Sequence, residues 1–361
     1  MVKINSDLLY LIAENGRGKI KEMAQVLKKS PQRIKYTLKS LQREGILYNP
    51  YCIFDYSYFG LIMFRVYFKG GYISEKDKIE IIKKLSENNY IVAMYELNGE
   101  FDLCMDIESP NPSRFNKELR KVCSLIPSLN NFKMILNLVT HIYPRSYLLK
   151  SPILVNSFEP EIIIGGDREV EVFTGNEMRV MKNLLDNPLL RVSHLAKLSG
   201  INIKTAAVVL KNLKRRKVIK GIKYLIDTNK LGIYKFRLFL TLHNISQERE
   251  IQMLDHFLRV REVVQVNKTI GDWNMEVDIE STDKTRIKHL ISQLREEFKD
   301  LIEYFNMIEF YQYYERTYLP RYMFQQFEVV VNNEPKIEIA AEEEQKDTTE
   351  ELGDNQNTNF G

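Results

Sequence analysis

The stretch NGEFDLCMDIES (residues 98–109) occurs a second time as IGDWNMEVDIES (residues 270–281), 172 residues further along the chain. Working outward from it, the same offset aligns the two halves without a gap from about Leu8 to Ser109. With a shift of one residue, residues 145–148 then match residues 316–319 as Arg-Ser/Thr-Tyr-Leu. A repeat this long exceeds any solenoid unit. We therefore interpret the chain as a tandem duplication whose two copies pair as the subunits of a homodimer would.

The composition is that of a globular protein. The chain has 361 residues, 44% hydrophobic and 28% charged, which allows several domains with their own cores. Because no apolar run is long enough to span a membrane and the N-terminus has no signal-peptide core, we expect a cytoplasmic protein without a membrane partner. Cys52, Cys104 and Cys123 form no Cys-x-x-Cys pattern, and no two histidines have metal-ligand spacing, so we expect neither a metal nor a cofactor.

The net charge of +4 conceals an asymmetry between the body of the chain and its end. From Glu334 onward, nine acidic and two basic residues give a charge of −7, so the remainder carries +11. A basic body favours a polyanionic partner, and an acidic tail can compete with that partner. A tail that only improves solubility remains an alternative.

The beginning of each copy predicts three short helices and a strand. In the first copy, Ser30 is a suitable cap for a third helix that starts at Pro31 and runs to about Glu44. Its apolar residues have helical spacing on one face, and its opposite face is basic. Three helices, a tight turn and a following strand indicate a winged helix-turn-helix.

The remainder of each copy predicts the order βαββαβ of a ferredoxin-like domain. Two of its strands are joined by Asn98-Gly99, a strong hairpin signal that returns as Gly271-Asp272. A further Asn- and Pro-bearing hairpin is expected after each copy, around residues 153–164 and 329–339. We expect an α+β protein with seven segments: helix-turn-helix 1 (1–57), βαββαβ domain 1 (58–150), hairpin and linker (151–172), helix-turn-helix 2 (173–229), βαββαβ domain 2 (230–320), hairpin (321–341) and disordered acidic tail (342–361).

This arrangement resembles the Lrp/AsnC (leucine-responsive, feast/famine) transcriptional regulators. The resemblance depends on three motifs: residues 41–46 (Leu-Gln-Arg-Glu-Gly-Ile) with Asp55 and Gly60, their repeat at 213–218 with Asp227 and Gly232, and the Gly-Glu-Phe-Asp hairpin at 99–102. In that family the helix-turn-helix binds double-stranded DNA, while the second domain pairs sheet to sheet and holds an amino-acid effector at the interface. The resemblance also implies a higher oligomer.

The basic third helix supplies the predicted DNA contacts. Gln32 and Arg33 lie in its first turn, where recognition helices meet base edges. The other candidates are better placed for phosphates, sugars or a thymine methyl group. They are Lys28, Lys29, Ser30, Lys35, Tyr36, Lys39 and Arg43 in the first unit, and Lys204, Lys211 and Arg215 in the second.

The two recognition helices are not equivalent. Arg33 is replaced by Thr205, Lys35 by Ala207 and Tyr36 by Val208, so we expect helix-turn-helix 1 to read sequence. The second unit is expected to hold the DNA backbone or to dock a partner.

The hairpins are the candidate effector site, with Gly99 and Asp102 in the first copy and Gly271 and Asn274 in the second. Turn glycines and outward polar side chains are the simpler interpretation. Because no catalytic motif is recognisable, we predict that the protein is not an enzyme. Two alternatives remain: a protein-interaction scaffold, and an enzyme like the haem-biosynthetic decarboxylases, which resemble the same domain pair and would need Arg and His to converge between the sheets.

Overall fold

The computed structural model describes residues 5–70, 74–154 and 157–325. Two series of elements with the same order follow one another along these residues. The first series is α1 (Ser6–Glu14), α2 (Ile20–Val26), α3 (Pro31–Arg43), β1 (Leu47–Phe54), β2 (Ile62–Phe68), α4 (Glu75–Ser86), β3 (Ile91–Asn98), β4 (Leu103–Ser109), α5 (Pro112–Leu125) and β5 (Phe132–Ile142), with β6 (Ile162–Gly165) after it. The second series is α6 (Gly175–Asp186), α7 (Val192–Leu198), α8 (Ile203–Arg215), β7 (Ile219–Ile226), β8 (Tyr234–Leu242), α9 (Gln247–Arg259), β9 (Val263–Ile270), β10 (Met275–Ser281), α10 (Lys284–Glu297) and β11 (Ile302–Arg316). The protein is therefore of mixed α+β structure.

Eight strands from the two series close into a barrel. Their order is β5-β2-β4-β3 from the first series, followed by β11-β8-β10-β9 from the second, and β9 pairs with β5 to complete the ring. The long strands β5 and β11 make the closure because each pairs with its own sheet along one part and with the other sheet along another part. Closure removes the unpaired edges of the two four-stranded sheets.

The two halves are also joined by strand pairing at the edges of their sheets. The edge of β3 pairs with Glu309–Arg316 of β11, and the edge of β9 pairs with Leu136–Ile142 of β5. Backbone hydrogen bonds therefore join the halves directly. The physical reason is that the outer strands of both sheets would otherwise present unpaired N–H and C=O groups.

Charged residues point into the barrel, and apolar residues point outward beneath the helices. Along β2, Phe64 stacks on Phe115 of α5 with ring centroids 4.1 Å apart, while its neighbour Arg65 pairs with Glu276 of the other half. The Asp-Ile-Glu sequences of β4 and β10 alternate in the same way, so Asp106 and Asp278 are buried in the barrel. The period of two thus separates an interior that holds these charged groups, with aromatic rings such as Tyr67 and Phe239 beside them, from an apolar outer layer.

The helical units do not carry the self-contained wings that the sequence predicted. Within the described ranges, each unit contributes one strand, and β1 pairs antiparallel with β7 of the other unit. Helix α1 lies against β7, and its apolar residues share a core with Tyr224 and Ile226. Each strand obtains its hydrogen bonds from the opposite unit, which joins the halves a second time.

The prediction of a hairpin around residues 153–164 is wrong. Pro152–Leu154 forms a 3-10 helix, and only Ile162–Gly165 is a strand, paired with β5 instead of with a strand beside it. Val155 and Asn156, most of the predicted hairpin at 321–341 and all of the predicted tail at 342–361 lie outside the described residues. The seven segment boundaries stay a prediction.

Candidate functional site

Helix α3 buries a narrow apolar edge and leaves the rest of its surface in solvent. Ile34 and Leu41 are buried in the core of the first helical unit. The helix begins where expected, because the Ser30 hydroxyl accepts a hydrogen bond from the backbone N–H of Arg33 at 3.3 Å and Pro31 occupies the first turn. This cap fixes the direction of the side chains in the first turn.

All six predicted contact residues on α3 are exposed. They are Gln32, Arg33, Lys35, Tyr36, Lys39 and Arg43. Tyr36 is 70% exposed and so does not pack against its own domain. Among the residues that the structure describes, Arg33, Lys35 and Lys39 form no ion pair, so their charges are available to an anionic partner.

The turn before α3 brings two further predicted lysines to the start of the helix. Lys28 is exposed and has φ +51°, a left-handed conformation that glycine adopts at the equivalent position, Gly200. Lys29 is half-buried. The Ser30 hydroxyl caps α3, so this predicted contact residue has a structural role in addition to the predicted contact with DNA.

Helix α8 shows a different surface. Lys204, Lys211 and Arg215 are exposed as predicted. Beside them, Ile203 and Val208 are 57% and 56% exposed, where the first unit has Pro31 and Tyr36. The second recognition helix therefore combines scattered cations with an apolar surface near its start.

The four predicted effector residues make structural contacts at the hairpins. The carboxylate of Asp102 accepts from the backbone N–H of Gly70, and the amide oxygen of Asn274 accepts from the equivalent N–H of Leu242 at 2.8 Å. Gly99 and Gly271 have φ of +131° and +147°. A Cβ on Gly271 would lie 2.6 Å from the Ile135 side chain, so close packing requires glycine there. Effector binding by these residues stays a prediction.

A buried hydrogen-bonded network lies inside the barrel. Arg65 binds both carboxylate oxygens of Asp106 at 2.7 and 2.9 Å, and its other terminal nitrogen pairs with Glu276 of the other half. Arg237, which occupies the position equivalent to Arg65, binds Asp278 at 2.6 and 2.9 Å. Both arginines are buried and paired, so they do not form the open Arg and His cluster that an enzyme between the sheets was expected to need.

A basic cavity, which sequence reasoning missed, lies at the end of α8 beside β7 and the chain leading into β6. Its volume is about 540 Å³. Its cationic lining residues are Arg17, Arg168, Lys214, Lys217 and Lys220. The run Lys-Arg-Arg-Lys at 214–217 was a signal for part of this site. Arg17 and Arg168 are far away in sequence, and only the tertiary fold brings them to it.

Two further results limit the possible kinds of site. Across residues 5–70, 74–154 and 157–325, no helix has the length and apolar character needed to cross a membrane. In the same ranges, His, Cys, Asp and Glu side chains form no group of three or more that could hold a metal ion.

Comparison with known proteins gives two kinds of similarity. No family model matches the chain. The HTH-type transcriptional regulator FL11 of Pyrococcus horikoshii is 23% identical over 144 residues, which are 38% of this chain and 90% of that protein. E. coli AsnC covers 38% of this chain and 92% of its own, with 17% identity and a TM-score of 0.32. Part of the chain is therefore similar in sequence to an HTH-type transcriptional regulator.

A second similarity extends over almost the whole chain. Siroheme decarboxylase NirDL covers 90% of this chain and 98% of its own, with 13% identity and a TM-score of 0.52, and its complex with an iron-uroporphyrin III analogue gives the same values. At this identity the similarity is one of fold. It nevertheless contradicts the prediction that the protein is not an enzyme, because a solved structure that is similar over nine tenths of the chain is that of an enzyme. The chain is thus similar in sequence to an HTH-type transcriptional regulator over part of its length and similar in fold to a siroheme decarboxylase over nine tenths of it.

Proposed function

We propose that the protein is a DNA-binding transcriptional regulator in which α3 reads base edges. The observation that carries this proposal is the exposed face of α3, where Arg33, Lys35 and Lys39 have no carboxylate partner in the described structure. Gln32 and Arg33 lie in the first turn of the helix, the part that enters the major groove in helix-turn-helix proteins. Similarity to FL11, a transcriptional regulator, supports the same function.

The two helical units have different tasks in this proposal. Arg33 can form a bidentate contact with guanine, whereas Thr205 at the equivalent position of α8 has no such capacity. Lys211 and Arg215, near the end of α8, suit phosphate contacts that give affinity without sequence preference. The first unit then determines specificity, and the second holds the DNA backbone or docks a protein through the apolar surface around Val208.

The two halves correspond, in this proposal, to the two subunits of a dimer fused by tandem duplication. The matched element order, the closure of one barrel by both halves and the β1–β7 pairing support it. FL11 supports it as well, because nearly all of that protein matches little more than one third of this chain. A single polypeptide would then present two non-identical DNA-binding units in a set geometry.

Selection of binding sites from random duplex DNA tests this function. Arg33→Ala should cost about 1–3 kcal/mol on the selected site and relax the preference at one position. Thr205→Ala is the matched control at the equivalent position and should cost almost nothing, while Lys211→Ala should weaken all sequences to a similar extent. Failure to enrich any sequence, or equal effects of Arg33→Ala and Thr205→Ala, would refute the proposed division of tasks.

A second candidate function is decarboxylation of a carboxylated tetrapyrrole. The extent of the fold similarity favours it, since NirDL matches both helical units and the barrel in one alignment whereas the regulators match one half. Incubation of the purified protein with siroheme under anaerobic conditions, followed by mass spectrometry, tests it. Loss of carbon dioxide from siroheme would establish the activity, and unchanged siroheme at stoichiometric enzyme would reject this substrate.

A further inference from the structure

A smaller cavity lies beside the basic cavity at the end of α8. The second cavity has a volume of about 220 Å³ and shares Asn15, Glu159 and Lys220 with the larger one. The strand β7 forms a common wall through Gly221 and Ile222. The smaller cavity is lined by Glu14 at the end of α1, and we refer to the two neighbouring cavities together as the cleft.

The five cations of the cavity are only partly neutralised by the protein. Lys220 lies 3.2 Å from a carboxylate oxygen of the buried Asp55, and Arg168 lies 3.8 Å from the same oxygen. Lys217 pairs with the exposed Glu159 at 3.2 Å. Lys214 forms no ion pair within the described part of the chain.

Arg17 also lacks a carboxylate partner. Its guanidinium donates hydrogen bonds to the backbone carbonyls of Pro188 and Leu190, both at 2.8 Å, which hold it at the cavity wall. The second acidic residue of the lining, Glu161, is bound by Nδ1 of His141 at 2.7 Å. The cavity therefore has an excess of positive charge that the protein itself does not balance.

The opposite half of the molecule lacks the equivalents of four of these five cations. At the positions related by the 172-residue offset, Arg17 is replaced by Leu189, Lys214 by Gln42, Lys217 by Gly45 and Lys220 by Tyr48. Both halves nevertheless form the same helices and the same two-stranded sheet. The charge of this one cleft is therefore a local property, which points to a ligand instead of to folding.

We propose that this cleft binds a small organic anion that carries two or more carboxylate or phosphate groups. The five cations face three carboxylates, Asp55, Glu159 and Glu161, so two positive charges remain, which is more than one monoanion can neutralise. A small ligand is favoured over the DNA backbone, because the site is concave and the Lys220 side chain is only 10% exposed. The proposal stands apart from either function above, since it concerns binding alone.

Titration calorimetry on the full chain at constant ionic strength tests the proposal, with citrate as the polycarboxylate and pyrophosphate as the polyphosphate. At least one should bind saturably, and their ratio of affinities identifies the preferred group. Lys214→Gln with Lys217→Gln should weaken that binding about tenfold or more, while Lys299→Gln, an exposed lysine on another surface, should leave it unchanged.

Absence of saturable binding by both probes to the unaltered protein would overturn the proposal. Equal affinities of the unaltered protein and the double variant would also overturn it. Should the double variant unfold, Lys214→Gln alone serves instead, because glutamine occupies the equivalent position 42. Competition by duplex DNA for the same lysines, without binding of either small anion, would assign the cleft to DNA.

Discussion

Glu108 and Glu280 occupy equivalent positions on β4 and β10, and we predict that replacing each with Gln changes stability in opposite directions. Both side chains are fully buried. Glu280 lies 2.9 Å from Nε of Arg145, 3.3 Å from Nζ of Lys235 and 2.7 Å from the hydroxyl of Tyr147. Neither carboxylate oxygen of Glu108 has a hydrogen-bond partner among the described residues.

Glu108 and Glu280 differ because the cations that surround Glu280 have no counterparts around Glu108. Arg316 occupies the position equivalent to Arg145, but its guanidinium binds the hydroxyls of Tyr313 and Tyr318 at 2.9 and 2.5 Å instead of a carboxylate. The position equivalent to Lys235 is Met63. Glu108 has therefore lost both of the cations that neutralise its counterpart.

The two carboxyl groups accordingly have opposite pKa shifts. Burial, with smaller contributions from the charges of Asp106 and Asp55, raises the pKa of Glu108 well above its ordinary value of 4.5. Burial alone would also raise the pKa of Glu280, but the charges of Arg145 and Lys235 outweigh it and lower that pKa below 4.5. Glu108 thus favours the neutral form in the folded protein, and Glu280 favours the charged form.

The magnitudes follow from these contacts. Glu108→Gln should raise the free energy of unfolding at pH 7 by about 1–3 kcal/mol, because folding no longer requires protonation or burial of a carboxylate. This gain should shrink as the pH falls towards 4.5, where unfolded Glu108 is itself protonated. Glu280→Gln should lower the same quantity by about 3–5 kcal/mol at neutral pH, since it breaks a buried ion pair. That loss should shrink as the pH falls from 4.5 through the lowered pKa of folded Glu280, because the unfolded side chain is protonated first and the native one only at lower pH.

Urea unfolding followed by circular dichroism, at pH 7 and again near pH 4, measures both effects. Equal signs for the two variants at pH 7 would refute the reasoning. A gain from Glu108→Gln that is the same at both pH values would refute it as well, because the effect would then not depend on ionisation.

Three further changes have defined outcomes. Glu276→Ala should lower the free energy of unfolding by about 3–5 kcal/mol, because it leaves Arg65 without its partner in the other half, whereas Glu303→Ala at an exposed site of β11 should have little effect in the same urea assay. Lys217→Gly should raise the free energy of unfolding by up to about 1 kcal/mol, because Lys217 has φ +61° and its equivalent at the end of α3, Gly45, adopts φ +64° without strain. A lower free energy of unfolding, measured by calorimetry, would contradict this reason. Removing the residues after Ala341 should raise DNA affinity at low salt and lose this effect as salt rises, and an unchanged affinity at low salt would leave the tail a solubility device.

Much of the local structure was predictable because it depends on near neighbours. Ser30 and Pro31 start α3 where the capping preferences place it, and Asn98-Gly99 lies at a hairpin as its conformational freedom requires. The wings were mispredicted because the sequence of one strand does not indicate which other strand it pairs with. The basic cavity was missed since Arg17, Arg168 and Lys214 are separated by many residues along the chain.

What the sequence by itself determined is the repeated order of helices and strands, because propensity, caps and periodicity act over a few residues. The alternation in Asp106-Ile107-Glu108 likewise indicates a strand with two unlike faces. It does not say which face meets water, and only the tertiary structure decided that the charged face is enclosed. The reason is that closing the barrel joins strands from both halves, so enclosure of the charged face depends on distant residues such as Glu276, which pairs with Arg65 from more than two hundred positions away.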